Sequence, residues 1–93
     1  MTQQPDATWY QDTVTAGPGG VMTDDVGIVT GDVTVQTTLE DDGRTARVTV
    51  QYTGSEEWYT MTGSPAPVPG GDLAAYHLDL LGRVRRGQAA QAS

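Results

Sequence analysis

A chain of 93 residues with a formal charge of −7 and no cysteine is long enough for one small domain and too short for two independent cores. The missing cysteine excludes disulfides, thiolate catalysis and cysteine-ligated zinc. Ten Val, one Ile, five Leu and no Phe amount to about 17% of the residues, below the ~20% at which a charged chain begins to read as disordered, so any core is lean and a homodimer would help complete it.

The charge is unevenly spread. All twelve carboxylates fall within residues 1–79, against Arg44 and Arg47, whereas residues 80–93 hold Arg83, Arg85 and Arg86 and no acid. Lys and Asn are absent, a composition typical of high-GC bacterial genomes. The acidic balance argues against direct nucleic-acid binding, because phosphate neutralisation requires Lys and Arg. The segment Met1–Asp6 lacks the basic and apolar regions of a signal peptide, and no apolar run approaches ~20 residues. A protein with no membrane span and a cytoplasmic location is the resulting expectation.

Residues 1–7 are polar and expected to be flexible. Thr8–Thr15, rich in aromatic and β-branched residues, reads as a strand of weak alternation, with Trp9, Gln11 and Thr13 on one face and Tyr10, Asp12 and Val14 on the other. Gly17-Pro18-Gly19-Gly20 ends it and is no phosphate loop, since it lacks the Lys-Ser/Thr pair that would follow. Val21-Met22 and Val26–Thr30 flank Thr23-Asp24-Asp25 and fit either a short hairpin or one bulged strand.

Val33–Thr62 threads as a three-stranded meander whose turns agree on one buried face. A two-residue type I′ turn at Asp42-Gly43 sets Val33 opposite Tyr52, Val35 opposite Val50, Thr37 opposite Val48 and Leu39 opposite Ala46. A type II′ turn at Gly54-Ser55 brings Val50 to Tyr59 and Val48 to Met61. A slip of one residue would send this apolar set to the other face, so the agreement argues for a real sheet.

The proline-rich run Gly63–Gly71 reads as an extended connector. Leu73, Tyr76, His77, Leu80, Leu81 and Val84 then form an apolar stripe at helical period, with Asp72 as N-cap and Gly87 as C-terminal stop. The expected fold is α+β: a small antiparallel sheet of the meander plus one or two N-terminal strands, with the C-terminal helix packed on one face. A single domain spans residues 8–87, and 88–93 form a flexible tail.

On this register Trp58, Gln51 and Thr60 share the uncovered sheet face, and a solvent-facing Trp is a frequent binding hot spot. Thr-rich strands also fit a pleated surface without any function, and a covered Trp58 would be ordinary core. Arg83, Arg85 and Arg86 could grip an anionic partner, although complementing the helix dipole explains them as well. His77 has no sequence-evident catalytic companion, since Asp79 points elsewhere on the helix, so it reads as a structural histidine. Asp24-Asp25 and Glu40-Asp41-Asp42 lack the alternating oxygens of a calcium loop, and Asp41 is expected to pair with Arg44 across the turn. No cofactor, metal or catalytic residue is nominated.

Three functions are in play. A non-enzymatic protein-binding module (adaptor, immunity or regulatory protein) acting through the sheet face or a homodimer seam is the best supported. An acidic decoy for a nucleic-acid-binding groove is a variant of it. The alternative is a small-ligand carrier or enzyme with a pocket near His77 and Tyr76, for which a lean core leaves little of the ~300 Å³ such pockets need, so it would require a dimer interface.

Overall fold

The computed structural model describes residues 7–93, so all but Ala7 of the expected flexible segment 1–7 lies outside the described residues. The main sheet has β1 (Trp9–Thr15), β4 (Asp32–Leu39), β5 (Thr45–Tyr52) and β6 (Tyr59–Thr60) in that order, with β7 (Ala66–Pro67) also on β5. Every pairing is antiparallel. The strands β2 (Val21–Thr23) and β3 (Gly27–Val29) form a separate hairpin, and α1 (Leu73–Arg86) follows the proline connector. Of the N-terminal strands only β1 extends the sheet. The α+β class holds, with more strands than the sequence suggested.

The meander register is the one its apolar pattern demands: Val33–Tyr52, Val35–Val50, Thr37–Val48, Leu39–Ala46 and Val50–Tyr59 are all partners, and Met61 N–H donates to the Val48 carbonyl at 3.0 Å. Val33, Val35, Val48, Val50 and Met61 are fully buried. Tyr52 lies on the same side but at its margin, and is exposed there.

Both turns differ in chemistry from the expectation while preserving that register. At the first, Gly43 N–H bonds the Glu40 carbonyl at 3.0 Å, and Gly43, not Asp42, takes the positive φ of 69°. The turn centre therefore sits one residue earlier, at Asp41-Asp42. A type I′ turn would need positive φ at two residues, which costs a non-glycine side chain. At the second, Ser55 N–H bonds the Tyr52 carbonyl at 2.8 Å and Gly54 has φ 92°, so Thr53-Gly54 forms the centre. Pairing resumes only at Val50–Tyr59, which leaves Trp58 one residue beyond the ladder.

The Asp42 carboxylate is an acceptor for the backbone of Arg44 at 2.8 Å and Thr45 at 3.0 Å. These bonds to its charged form hold its pKa below the ordinary 3.8. The ion pair nearby is Arg47–Glu40 at 3.3 Å, in place of the expected Asp41–Arg44.

Helix α1 begins and ends where its caps place it. The Asp72 carboxylate accepts from Ala75 N–H at 3.1 Å, and Gly87 closes the last turn on the Arg83 carbonyl. Its six stripe residues are all buried, against the face carrying Tyr10, Asp12 and Val14 of β1 and the inward residues of β4. The connector holds more structure than a spacer: Ala66-Pro67 pairs with Thr45-Ala46, and Val68 N–H bonds the Arg44 carbonyl at 2.7 Å.

Residues 88–92, expected as a loose tail, are stitched into the fold. Gln88, Ala89 and Ala90 donate to the carbonyls of Pro18, Gly19 and Gly20, Ala90 accepts from Met22, and Ala92 donates to Thr62. Ala90 and Ala92 are buried, and Tyr76 Oη donates to the Ala92 carbonyl at 2.6 Å. Burial raises the Tyr76 pKa above its ordinary 10.0, with the carboxylate of Asp79 adding to the rise and Arg83 opposing it. Small side chains let the tail run close beside β2, where larger ones would be held away. The loop before β2 likewise abuts the helix end so closely that a Cβ on Gly17 would strike the carbonyl of Arg85.

Because Asp42 has a depressed pKa when folded, its charge favours folding above the ordinary aspartate range, and that contribution disappears as pH falls through the depressed value. Chemical denaturation of the protein and of Asp42→Asn across pH should show a native advantage at neutral pH that shrinks toward zero in strong acid. A pH-independent gap would assign the effect of Asp42 to something other than its charge.

Candidate partner-binding face

Alternation along β1, β4 and β5 sends one set of side chains inward and the other to a face on which no described element packs. From β1 this outer set is Trp9, Gln11, Thr13 and Thr15; from β4, Thr34, Gln36 and Thr38; from β5, Arg47, Thr49 and Gln51. Thr60 adds to it opposite Thr49. Asp32 joins it at one end, where Thr15 Oγ1 donates to its carboxylate at 2.7 Å, and Arg47 pairs with Glu40 at the other, while the hydroxyls and amides between them are organised in rows. Thr13 Oγ1 lies 3.0 Å from Thr34 Oγ1, which lies 3.2 Å from Thr53 Oγ1, and Gln36 Nε2 donates to Gln11 Oε1 at 3.1 Å. Cross-strand pairs of this kind order the side chains.

A tryptophan stands at each side. Trp9 is 57% exposed on the edge strand, and Trp58 is 38% exposed where the chain enters β6. Trp58, whose exposure the sequence left open, is thus partly exposed and lies outside a paired strand. Gln51 Nε2 donates to the Ser55 carbonyl at 3.0 Å, tying the loop that carries Trp58 to β5. The Thr60 N–H is taken by the Asp25 carboxylate at 3.1 Å. Trp9 was not singled out from sequence, although its alternation with Gln11 and Thr13 already placed all three on one face.

The arginines belong to a different surface, since they lie on the helix layer behind the sheet. Arg83 is already engaged: Nε donates to Asp79 at 2.9 Å, and Nη1 donates to the carbonyls of Gln91 and Ala92 at 3.2 and 3.1 Å. Its role is to fasten the tail. Arg85 and Arg86 are exposed and make no ion pair among the described residues. The structure thus brings Trp58, Gln51 and Thr60 to one side and keeps Arg83, Arg85 and Arg86 away from them.

His77 has companions that the sequence did not disclose. It is 2% exposed, its Nδ1 lies 2.8 Å from Thr37 Oγ1, its Nε2 lies 2.9 Å from Asp12 Oδ2, and Tyr10 stacks on the ring at a centroid distance of 5.5 Å. Asp12 precedes it by 65 positions, and only the pairing of β1 with β4 unites them. A hydroxyl, an imidazole and a carboxylate in line resemble a hydrolytic triad, but Thr37 is 0% exposed and its hydroxyl cannot meet a substrate in this conformation. The trio acts as a brace that satisfies both ring nitrogens and joins α1 to two strands. The described residues do form a groove of about 390 Å³ on the monomer, on the other flank of Tyr76, between Pro67, Pro69, Ala75 and Ala92. It does not reach His77 and so is not the cleft considered from sequence.

If the trio is a brace, its buried end matters more than its exposed end. Thr37→Val leaves a buried ring nitrogen without a partner and should cost about 1–3 kcal/mol, whereas water can replace the half-exposed Asp12 carboxylate in Asp12→Ala, at roughly 1 kcal/mol or less. Equilibrium denaturation of the two variants gives the order, and a larger loss for Asp12→Ala would contradict it. Comparison with protein-family models, curated proteins and solved structures yields no match to this chain.

Proposed function

We propose that this protein is a non-enzymatic binding module that recognises another protein through the outer face of its main sheet. The observation that carries the reading is the pairing of a hydrogen-bonded Thr/Gln surface with two exposed tryptophans, Trp9 and Trp58. Tryptophan supplies large contact area at a small cost in side-chain entropy and dominates many interfaces, while the neutral hydroxyl and amide rows offer hydrogen bonds without the desolvation cost of charge. Gln51 and Thr60 would frame Trp58 in such an interface. An acidic chain is poorly suited to nucleic acid, so a protein partner fits better.

A second reading, a small-ligand carrier, draws on the groove beside Tyr76, whose lining is mainly Pro, Ala and the tyrosine ring. It involves neither tryptophan, so the same variants separate the two readings.

Replacing Trp58 by Ala should leave the fold within about 0.5 kcal/mol of native stability, as expected of a surface position. It should weaken capture of the partner from an extract of the source cells by tenfold or more, the effect of losing a hot spot of ~1.4 kcal/mol or above. Arg85→Ala serves as the control and should bind normally. Loss of folding would make Trp58 part of the core, and undiminished capture by both Trp58→Ala and Trp9→Ala would remove the sheet face from the interface.

A further inference from the structure

The two edges of the main sheet are built differently. At the far edge β6 and β7 are two residues each, β7 carries Pro67, and the Thr60 N–H and C=O are taken by Asp25 and Asp24. That edge is closed. At the other, β1 is a regular strand of seven residues without Pro, Gly or Lys, and no other described strand lies beside it. The bonds Leu39 N–H to Thr8 at 2.8 Å and Ala16 N–H to Gly31 at 2.9 Å fix the phase of its ladder with β4. Even-numbered residues spend their backbone groups on β4, so the N–H and C=O of Trp9, Gln11, Thr13 and Thr15 point away from the sheet. Such a row of unpaired N–H and C=O groups is a template for pairing with another chain, and the inward-pointing Asp12 is the one edge-blunting residue it carries.

We propose that this edge pairs with β1 of a second copy, antiparallel about a two-fold axis, to make one continuous sheet. The outward side chains of β1 are neutral, and of the twelve carboxylates in the chain β1 carries only Asp12, whose Oδ2 lies 2.9 Å from His77 Nε2, so the approach of two edges brings one carboxylate from each copy near the seam. Asp12 rules out one register, and the number of paired outward groups favours another. Centring the axis on Asp12 would place two carboxylates directly opposite each other, which is unfavourable. Centring it on Gln11 sets Gln11 against Gln11 and Trp9 against Thr13 of the other copy, with Asp12 facing Tyr10. The outward groups of Trp9, Gln11 and Thr13 then all find partners.

Apolar surface flanks the edge on both sides, as a seam requires. Trp9 lies on the outer side. On the inner side, Leu78 is 68% exposed on the flank of α1 opposite the tail-facing Tyr76 and Arg83, just beyond His77 where the helix meets β1. Both would gain cover from a second copy, and the outer face would run unbroken across the join. The partner here is a copy of the chain and the surface is an edge; Trp9 is shared with the proposed partner face, whereas Trp58 and the centre of the face lie away from the seam.

Light scattering on a sizing column across a dilution series tests it. The protein should run at about twice its 9.8 kDa chain mass, and Thr13→Pro, which deletes an outward N–H that no strand of its own chain uses, should run at the single mass with its circular dichroism retained. If that variant fails to fold, Gln11→Lys, which opposes two cations across the axis, takes its place and should also be monomeric. In this cysteine-free chain, Gln11→Cys should cross-link to itself on oxidation, and Thr49→Cys, at the centre of the outer face, should not. A native protein that stays monomeric at high concentration overturns the proposal. So does a dimer that survives Gln11→Lys and fails to cross-link through position 11.

Discussion

The structure depends on one constraint: the register between β4 and β5. Four valines, Val33, Val35, Val48 and Val50, form the floor of the core, and all are inaccessible to solvent. In a sheet the side-chain period is two, so a shift of one residue would exchange them for Thr34, Gln36, Thr49 and Gln51. A chain this poor in large apolar residues can furnish only one such face. Helix α1, the β2–β3 hairpin and the alanine tail all contribute buried side chains to the cluster on that floor. The other face is left polar and open by the same economy, and this connects the composition of the chain to its proposed role.

A lean core gains from polar groups that find specific partners. His77 occupies a position in the helix stripe where an aliphatic residue would be ordinary, yet with Thr37 and Asp12 both its nitrogens are satisfied. Among the described residues no buried side-chain polar atom lacks a partner. Directional bonds of this kind specify how the helix sits on the sheet more sharply than apolar contact alone. The hydroxyl of Tyr76 and the guanidinium of Arg83 do the same for the tail, both reaching the Ala92 carbonyl.

How much of this is legible in the sequence follows from the range of each interaction. The meander register and the helix limits are local: alternation, a cap at Asp72 and a stop at Gly87 lie within a few residues of what they control. Turn type is less legible, since Asp-Gly and Gly-Ser pairs are compatible with more than one turn that keeps the same register. Long-range features are nearly silent. Asp12 reads as a break in the alternation of β1, and its reason, His77, lies in the last element of the chain. Ala90 and Ala92 carry no periodic signal, so a docked tail looks like a loose one. Of the candidate face, Gln51 and Thr60 follow from the register, with Trp58 beside them, while Trp9 required knowing that β1 joins the same sheet.

The claim on which the account turns is that one sheet face is buried and the other is open to solvent. Trp9 lies on the open side and Trp58 borders it, partly exposed where the chain enters β6, which makes their fluorescence a direct probe. Native protein should show solvent-like emission from both, with acrylamide quenching each in Trp9→Phe and Trp58→Phe backgrounds, and little red shift on unfolding. Blue-shifted emission protected from quencher in a dilute, monomeric sample would mean that the face is covered, and the account of the fold and of its function would then fail together.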